Sequence, residues 1–372
     1  MDKHKKKVGI LTFHASHNYG SCLQAYALQN TVKSLGMDVE IINFRTFRQK
    51  DMYAVFTKRK GLKYLLKNLT HLLYYFPLKQ KYQKFEDFIA NNYLLSAQEY
   101  ASAEDLQEAE ANYDAFIVGS DQVWNPLPRD FDWIYFLTFV KEKKKISYAP
   151  SFGPFFGKAN EETLKRVAAE VETFSSISVR EMQAKADLEQ YINREINVVL
   201  DPTLLLEWNE WKELIDPEPI IKEDYIFLYT LFSSSEINRI VKKLSKKWKM
   251  RVVVSNFSNQ HDVFTSYTKC FGTGPKDFLN LIYHAKFVVV TSFHGTVFST
   301  LFEKPFYAIN GEKDNRIFSL LNITGLTNRT ININDIEEKA EQAFNIDFSE
   351  AREKIRQERV RSIEYLRHAL EK

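Results

Sequence analysis

Within its first 44 residues the chain spells a strand, a crossover helix and a second strand. An apolar run at 8–13 leads into a polar turn at 14–20. Ala25, Leu28, Val32 and Leu35 then fall on one helical face, Gly36 stops the helix, and a second apolar run follows at 39–44. Continuous apolar runs mark strands covered on both faces, and a parallel partner is reached only by crossing over a sheet face. Few architectures accept such an opening, and all of them are layered α/β folds.

Further buried strands are expected at 115–118, 146–149, 177–179 and 198–200, several closing in Gly, Ser, Asp or Arg. Asp201-Pro202-Thr203 ends this series, and the aperiodic stretch up to Glu223 reads as a crossing between domains. A second series follows, with strands at 225–231, 251–255, 287–291 and 306–309 and helices at 236–248, 275–285 and 296–303. Beyond Asp347, Ala351, Ile355, Val360, Ile363 and Leu366 are spaced for one long amphipathic helix. The expected organisation is two Rossmann-like domains, 1–206 and 207–345, with a terminal helix at 346–372 packing back across their junction. In open sheets of this kind ligands bind beyond the carboxyl ends of the strands, so chemistry is sought there.

Length agrees, since 372 residues suit two average domains. With 44% hydrophobic and 27% charged residues, disorder is excluded. Lys and Arg number 51 against 48 acids, too even a balance for a whole-molecule nucleic-acid binder. Cys22 and Cys270 form no disulfide framework and no zinc-ligand spacing, which points to a reducing, cytoplasmic setting. The basic start, Met1 to Lys7, lacks a signal-peptide core and a spanning segment, so neither export nor insertion is expected.

One stretch stands apart. Residues 45–85 hold eleven Lys or Arg and a single acid, Asp51, among many aromatics. Leu62, Leu65, Leu66, Leu69, Leu72 and Leu73 share helical spacing, with Lys63 and Lys67 on the flanks. An interfacial helix touching an anionic membrane is written this way; so is a helix packed on the first domain with a solvated basic face.

Three strand ends gather polar residues. His14, His17, Asn18 and Tyr19 lie in the first strand-to-helix loop, where a helix N-terminus can hold an anion or a tight turn can simply form. Gly119-Ser120-Asp121 closes another strand, with Trp124 close behind. Asp121 there offers a base or a helix cap, and Trp124 a platform for a sugar face. The third, Thr291-Ser292-Phe293-His294-Gly295-Thr296, is the strongest: Gly295 would let backbone approach a ligand, the amides at and after Thr296 would point outward, and His294 sits where a phosphate would rest. Arg180 and Arg316 are candidate clamps for a carboxylate, or partners of Glu181 and Asp314. No Walker motif, GxGxxG after the first strand, HExxH or serine elbow is present, so ATPase, dehydrogenase and metallopeptidase readings lapse.

The segments KVGILTFHASHNYGSCLQAYALQ, DAFIVGSDQVWNP, KISYAPSFG, ISVRE, VVLDPTLLL, VVVTSFHGTVFSTLFEKPFYAIN and DNRIFSLL, in this order, resemble the polysaccharide pyruvyl transferase family. The resemblance implies a GT-B-like fold whose two domains face a cleft. It also implies phosphoenolpyruvate as donor, and a glycan hydroxyl pair closed into a cyclic ketal, for instance the 4,6 pair of a galactose-type hexose. By that analogy His294 binds the donor phosphate and is a candidate proton source, and Arg180 reaches the donor from the first domain. The donor site would comprise Ser292, His294, Gly295, Thr296, Arg180 and Arg316. Asp121 is the candidate base on chemistry alone. His14, His17, Asn18, Tyr19 and Trp124 are the acceptor-side candidates, and neither metal nor further cofactor is required.

Some relatives carry Arg two residues before the corresponding His; this chain has Ser292-Phe293-His294, and Arg316 is the expected substitute. A lipid-linked polysaccharide precursor as acceptor would give the basic stretch a purpose at the inner face of the plasma membrane. Two other readings stay open: a nucleotide-sugar glycosyltransferase of the same fold, and a noncatalytic glycan-binding protein.

Overall fold

The computed structural model describes residues 5–127, 131–232, 234–255 and 265–371; the basic start at 1–4 lies outside them. The chain divides into two compact units. Met1–Lys58, Ile89–Leu206 and Gln357–Lys372 make the first, and Arg59–Phe88 with Glu207–Arg356 the second.

The first unit is built on strands β1 (Lys7–Leu11), β2 (Asp38–Phe44), β3 (Leu95–Tyr100), β4 (Ala115–Val118) and β5 (Lys144–Ser147), in the order β3-β2-β1-β4-β5. Every pairing is parallel. A bridge between Ile146 and Ser176 joins this sheet to the parallel pair β6 (Ile177–Val179) and β7 (Ile196–Val198). Val8, Ile10, Phe116, Ile117 and Val118 are fully buried, as parallel strands covered by helices on both faces must be. The crossover helix runs Tyr19–Ser34, with Asn18 capping its start, and Gly36 turns the chain at φ +86°.

The second unit repeats the plan with β8 (Tyr225–Tyr229), β9 (Arg251–Val254), β10 (Thr268–Lys269), β11 (Phe287–Val290), β12 (Phe306–Ile309) and β13 (Thr330–Ile331). Their order is β10-β9-β8-β11-β12-β13, again parallel throughout. In each sheet the winding reverses beside its first strand, between β1 and β4 and between β8 and β11. Such a switch point opens a crevice above the strand ends.

Three features depart from the sequence reading. Strands β3, β10 and β13 were not expected; they lie at or next to sheet edges, and the two-residue pair is too short for any period to register. The basic stretch is not an insertion of the first unit alone. From Arg59 to Phe88 it belongs to the second, where Tyr74 meets Phe271 edge-on at 5.7 Å and Lys84 Nζ pairs with Asp277 at 2.8 Å. Neighbours in sequence do not reveal which sheet a helix will cover. The terminal helix runs Ser349–Glu371, its residues up to Arg356 counted with the second unit and the rest with the first.

Candidate functional site

Each switch point carries a polar cluster. In the first unit Ser120 and Asp121 leave β4 beside the end of β1 and the start of the Tyr19–Ser34 helix. Thr12 Oγ1 donates to the Ser120 carbonyl at 3.3 Å, Gln24 Nε2 donates to Thr12 Oγ1 at 2.9 Å, and the Ser120 amide donates to Gln24 Oε1 at 3.0 Å. These bonds hold the β4 end against β1. Asp121 has φ +67°, a left-handed conformation that Asp tolerates better than most residues. Its carboxylate takes the Ser21 hydroxyl at 2.5 Å and the Gln122 amide at 2.8 Å, so both oxygens are oriented.

Behind Asp121 lies a buried charge cluster. Arg180, at the end of β6, donates Nε to Glu181 at 2.8 Å and Nη1 to Asp201 Oδ2 at 2.7 Å. Asp201 Oδ1 also takes the Thr203 amide and hydroxyl, at 3.0 and 2.6 Å, and Ser120 Oγ lies 3.1 Å from Oδ2. Burial alone would depress the guanidinium pKa, but the fields of Glu181, Asp201 and Asp121 outweigh it and raise the pKa further. Three carboxylates thus act on one cation, and this cluster is acidic in character.

These contacts correct several expectations. Arg180 is buried, and its charge is answered by two carboxylates of its own unit, which is not the geometry of an open donor clamp. Trp124 is fully buried, stacked on Phe136 at 5.3 Å with its indole N–H on the Tyr135 carbonyl, so no face is offered to a sugar. His14 is buried between the Thr12 carbonyl (3.3 Å) and Asn43 Oδ1 (3.2 Å), a core histidine with both nitrogens engaged. Tyr19 is buried as well, and Asn18 serves as the helix cap, accepting from the Gly20 and Ser21 amides. Of the acceptor candidates only His17 keeps a half-exposed ring, stacked at 5.5 Å on Tyr53.

In the second unit Thr230 follows β8 and Thr291 follows β11, and their hydroxyls hydrogen-bond at 2.9 Å across the switch point. Ser292 is the N-cap of a helix, Phe293–Leu301, that begins three residues earlier than the sequence suggested. His294 therefore stands in the first helical turn and not in the loop before it. There the N–H groups lack carbonyl partners within the helix, and the dipole is positive. The imidazole is mostly buried, 7% exposed, with its ring edge-to-face on Phe293 at 5.1 Å.

The earlier start changes the part played by two neighbours. The Thr296 amide and hydroxyl both bond the Ser292 carbonyl at 3.0 Å, so this residue closes the first turn and presents nothing outward. Gly295 serves packing: a Cβ there would come within 2.8 Å of Val290 Cγ1 and 3.0 Å of Tyr229 Cδ1. Gly295→Ala is expected to destabilise the protein by about 1–3 kcal/mol through this overpacking, read as a lowered urea midpoint. An unchanged midpoint would mean that the helix shifts freely on β11.

Arg316 grips Asp314 through two parallel hydrogen bonds, Nε to Oδ1 at 3.0 Å and Nη2 to Oδ2 at 2.6 Å. Burial raises the Asp314 carboxyl pKa, and Arg316 more than reverses this, holding it below the usual carboxylate range. The expected replacement clamp is thus already committed to a carboxylate, a fork geometry that favours planar anions of this kind. Sequence reasoning gave no site role to Ser21, Ser120, Asp201, Thr230 or Thr291. The available signal was position, since each sits at a strand end or at the helix start that follows one.

A family model, that of the polysaccharide pyruvyl transferases, matches residues 18–312. No curated protein matches the sequence. Among solved structures, the UDP-GlcNAc 2-epimerase of Neisseria meningitidis bound to UDP-GlcNAc is 11% identical, with a TM-score of 0.56, 97% of this chain covered and 99% of that one. The corresponding enzyme of Methanocaldococcus jannaschii, in complex with UDP-GlcNAc and UDP, is 14% identical with a TM-score of 0.51, covering 96% and 99%. At such identities the likeness establishes the fold, α/β of the GT-B type, as the sequence led one to expect.

Proposed function

Because the chain belongs to the polysaccharide pyruvyl transferase family, we propose that it transfers the pyruvyl group of phosphoenolpyruvate to two hydroxyls of a sugar in a surface-polysaccharide precursor. The product is a cyclic ketal, for which the 4,6 pair of a galactose-type hexose is a suitable acceptor. The observation that carries this reading is the extent of the family match, which includes both switch-point clusters, from Ser21 and Asp121 to Arg180, Asp201 and His294.

The chemistry divides between the clusters by charge. A proton added to the methylene carbon of phosphoenolpyruvate makes C2 electrophilic. A sugar hydroxyl oxygen bonds C2, and the bond between C2 and the bridging phosphate oxygen breaks with its electron pair leaving on phosphate. The neighbouring hydroxyl oxygen then bonds C2 to close the ring, its proton passing to the departing phosphate. In this scheme His294, at the positive end of its helix, binds the donor phosphate and delivers the proton. Asp121, with Ser21 orienting its carboxylate, takes the proton of the attacking hydroxyl. The acidic cluster of the first unit suits a hydroxyl acceptor and would repel a trianionic donor. Arg180, held by Glu181 and Asp201, then serves as a positioning residue of this cluster and does not touch the donor. The scheme asks for no cofactor beyond the donor substrate, and a lipid-linked precursor at the cytoplasmic membrane face is the acceptor we favour.

The known UDP complexes of similarly folded proteins favour one other reading, a nucleotide-sugar transferase. Calorimetric titration separates the two. Saturable binding of phosphoenolpyruvate is expected, with a dissociation constant in the range of about 1 μM to 1 mM usual for substrates, and no heat from UDP-GlcNAc. Binding of UDP-GlcNAc alone would transfer the assignment to the second reading.

A further inference from the structure

The helix Leu62–Leu73 is inside out. At about 100° per residue, its six leucines, 62, 65, 66, 69, 72 and 73, lie within an arc of about 120°, and all are exposed, by 49% to 82% of their surface. The opposite side, with Tyr64, Asn68 and His71, is the half-buried one. Phe76, 82% exposed, extends the apolar surface past the helix end. A contiguous apolar patch of this kind on a folded protein marks a surface that meets something apolar.

Charge identifies what it meets. From Met52 to Phe85 there is no Asp or Glu, while Lys58, Arg59, Lys60, Lys63 and Lys67 cluster at the start of the helix and along it. The whole chain carries only +3, so this excess is local. Face-to-face docking of two copies would bring two basic surfaces together with no Asp or Glu from 52 to 85 on either side to pair them. An anionic bilayer answers both properties at once, with hydrocarbon for the leucines and headgroup phosphates for the lysines. Twelve residues span about 18 Å, short of the roughly 30 Å hydrocarbon core. Among the described residues no helix is long and apolar enough to cross a membrane.

We infer that Leu62–Leu73 is a membrane-interface helix, lying in the plane of an anionic bilayer with its leucines down and its lysines at the headgroups. This stands on the helix alone and not on the pyruvyl-transfer reading, so either can fail without the other.

Flotation of the full chain with phosphatidylcholine vesicles, with and without about one-third phosphatidylglycerol, tests it. Partition into the anionic vesicles is expected to be at least about tenfold stronger, and to weaken at about 0.5 M salt as screening shortens. The double substitution Leu65→Glu, Leu69→Glu should lower that partition about tenfold or more with circular dichroism unchanged, since both side chains are exposed. Equal partition into neutral and anionic vesicles, or indifference to the double substitution, would overturn the inference. So would a concentration-dependent dimer in light scattering that the same substitution disperses, which would assign the face to a second copy.

Discussion

Replacing His294 by alanine is expected to lower the rate of pyruvyl transfer from phosphoenolpyruvate by about two to four orders of magnitude, the range over which a positioned general acid contributes. The reason is location. His294 sits in the first turn of the helix after β11, where dipole and amides favour an anion, and beside the Thr230–Thr291 pair that marks the switch point. Phosphate release in a single turnover, with phosphoenolpyruvate saturating, is the informative assay, because it separates the chemical step from donor binding. A glutamine at 294 tells the two duties apart. It retains a hydrogen-bond donor for phosphate and has no proton to give, so it should recover donor affinity while the rate stays low. A rate within a few-fold of the parent in the alanine variant would remove His294 from the mechanism and leave the family assignment standing.

The second large effect concerns stability. Asp201→Ala is expected to cost about 3–5 kcal/mol, because it strips a buried guanidinium of one of its two ion-pair partners. Glu181 remains, but the Ser120 and Thr203 hydroxyls and the Thr203 amide lose an acceptor at the same time. Hydrogen exchange of the β4 and β6 amides localises the loss to the first unit, where a two-state urea curve for the whole chain would blur it. Asp201→Asn keeps an acceptor and should recover part of the stability. A loss below about 1 kcal/mol for the alanine would show that the charge of Arg180 is neutralised without Asp201. The same variant bears on function: Arg180, released from Asp201, would be free to pull Asp121 away from Ser21, so activity should fall with stability.

Much of this architecture is legible in residues close together in the chain. The β-branched run FVVV at Phe287–Val290 reads as a strand buried on both faces, and Gly36 after Leu35 as a helix stop, and the structure has both. Such signals are local: a period, a stop, a cap. The parallel α/β plan and the core strands of both units follow from them, as does the strand-end position of Asp121; that Asn18 and Ser292 cap helices, and that His294 lies inside the first turn, do not.

What side chains at those ends do was decided elsewhere. Trp124 and His14 have the composition of a sugar platform and a ligand, and the packing of Phe136 and Asn43 turned both into core. Arg180 and Arg316 have the chemistry of clamps, and Glu181, Asp201 and Asp314 had already claimed their charge. The leucines of Leu62–Leu73, which the sequence left open to a membrane surface or to packing on the first domain, stay outside. Propensity and period act along the chain, over a few residues, so the sequence by itself determined the core elements and their order but not the edge strands β3, β10 and β13. Burial and charge pairing arise where distant surfaces meet, Asp201 on Arg180 or Tyr229 on Gly295, and only the tertiary structure sets which residues those are.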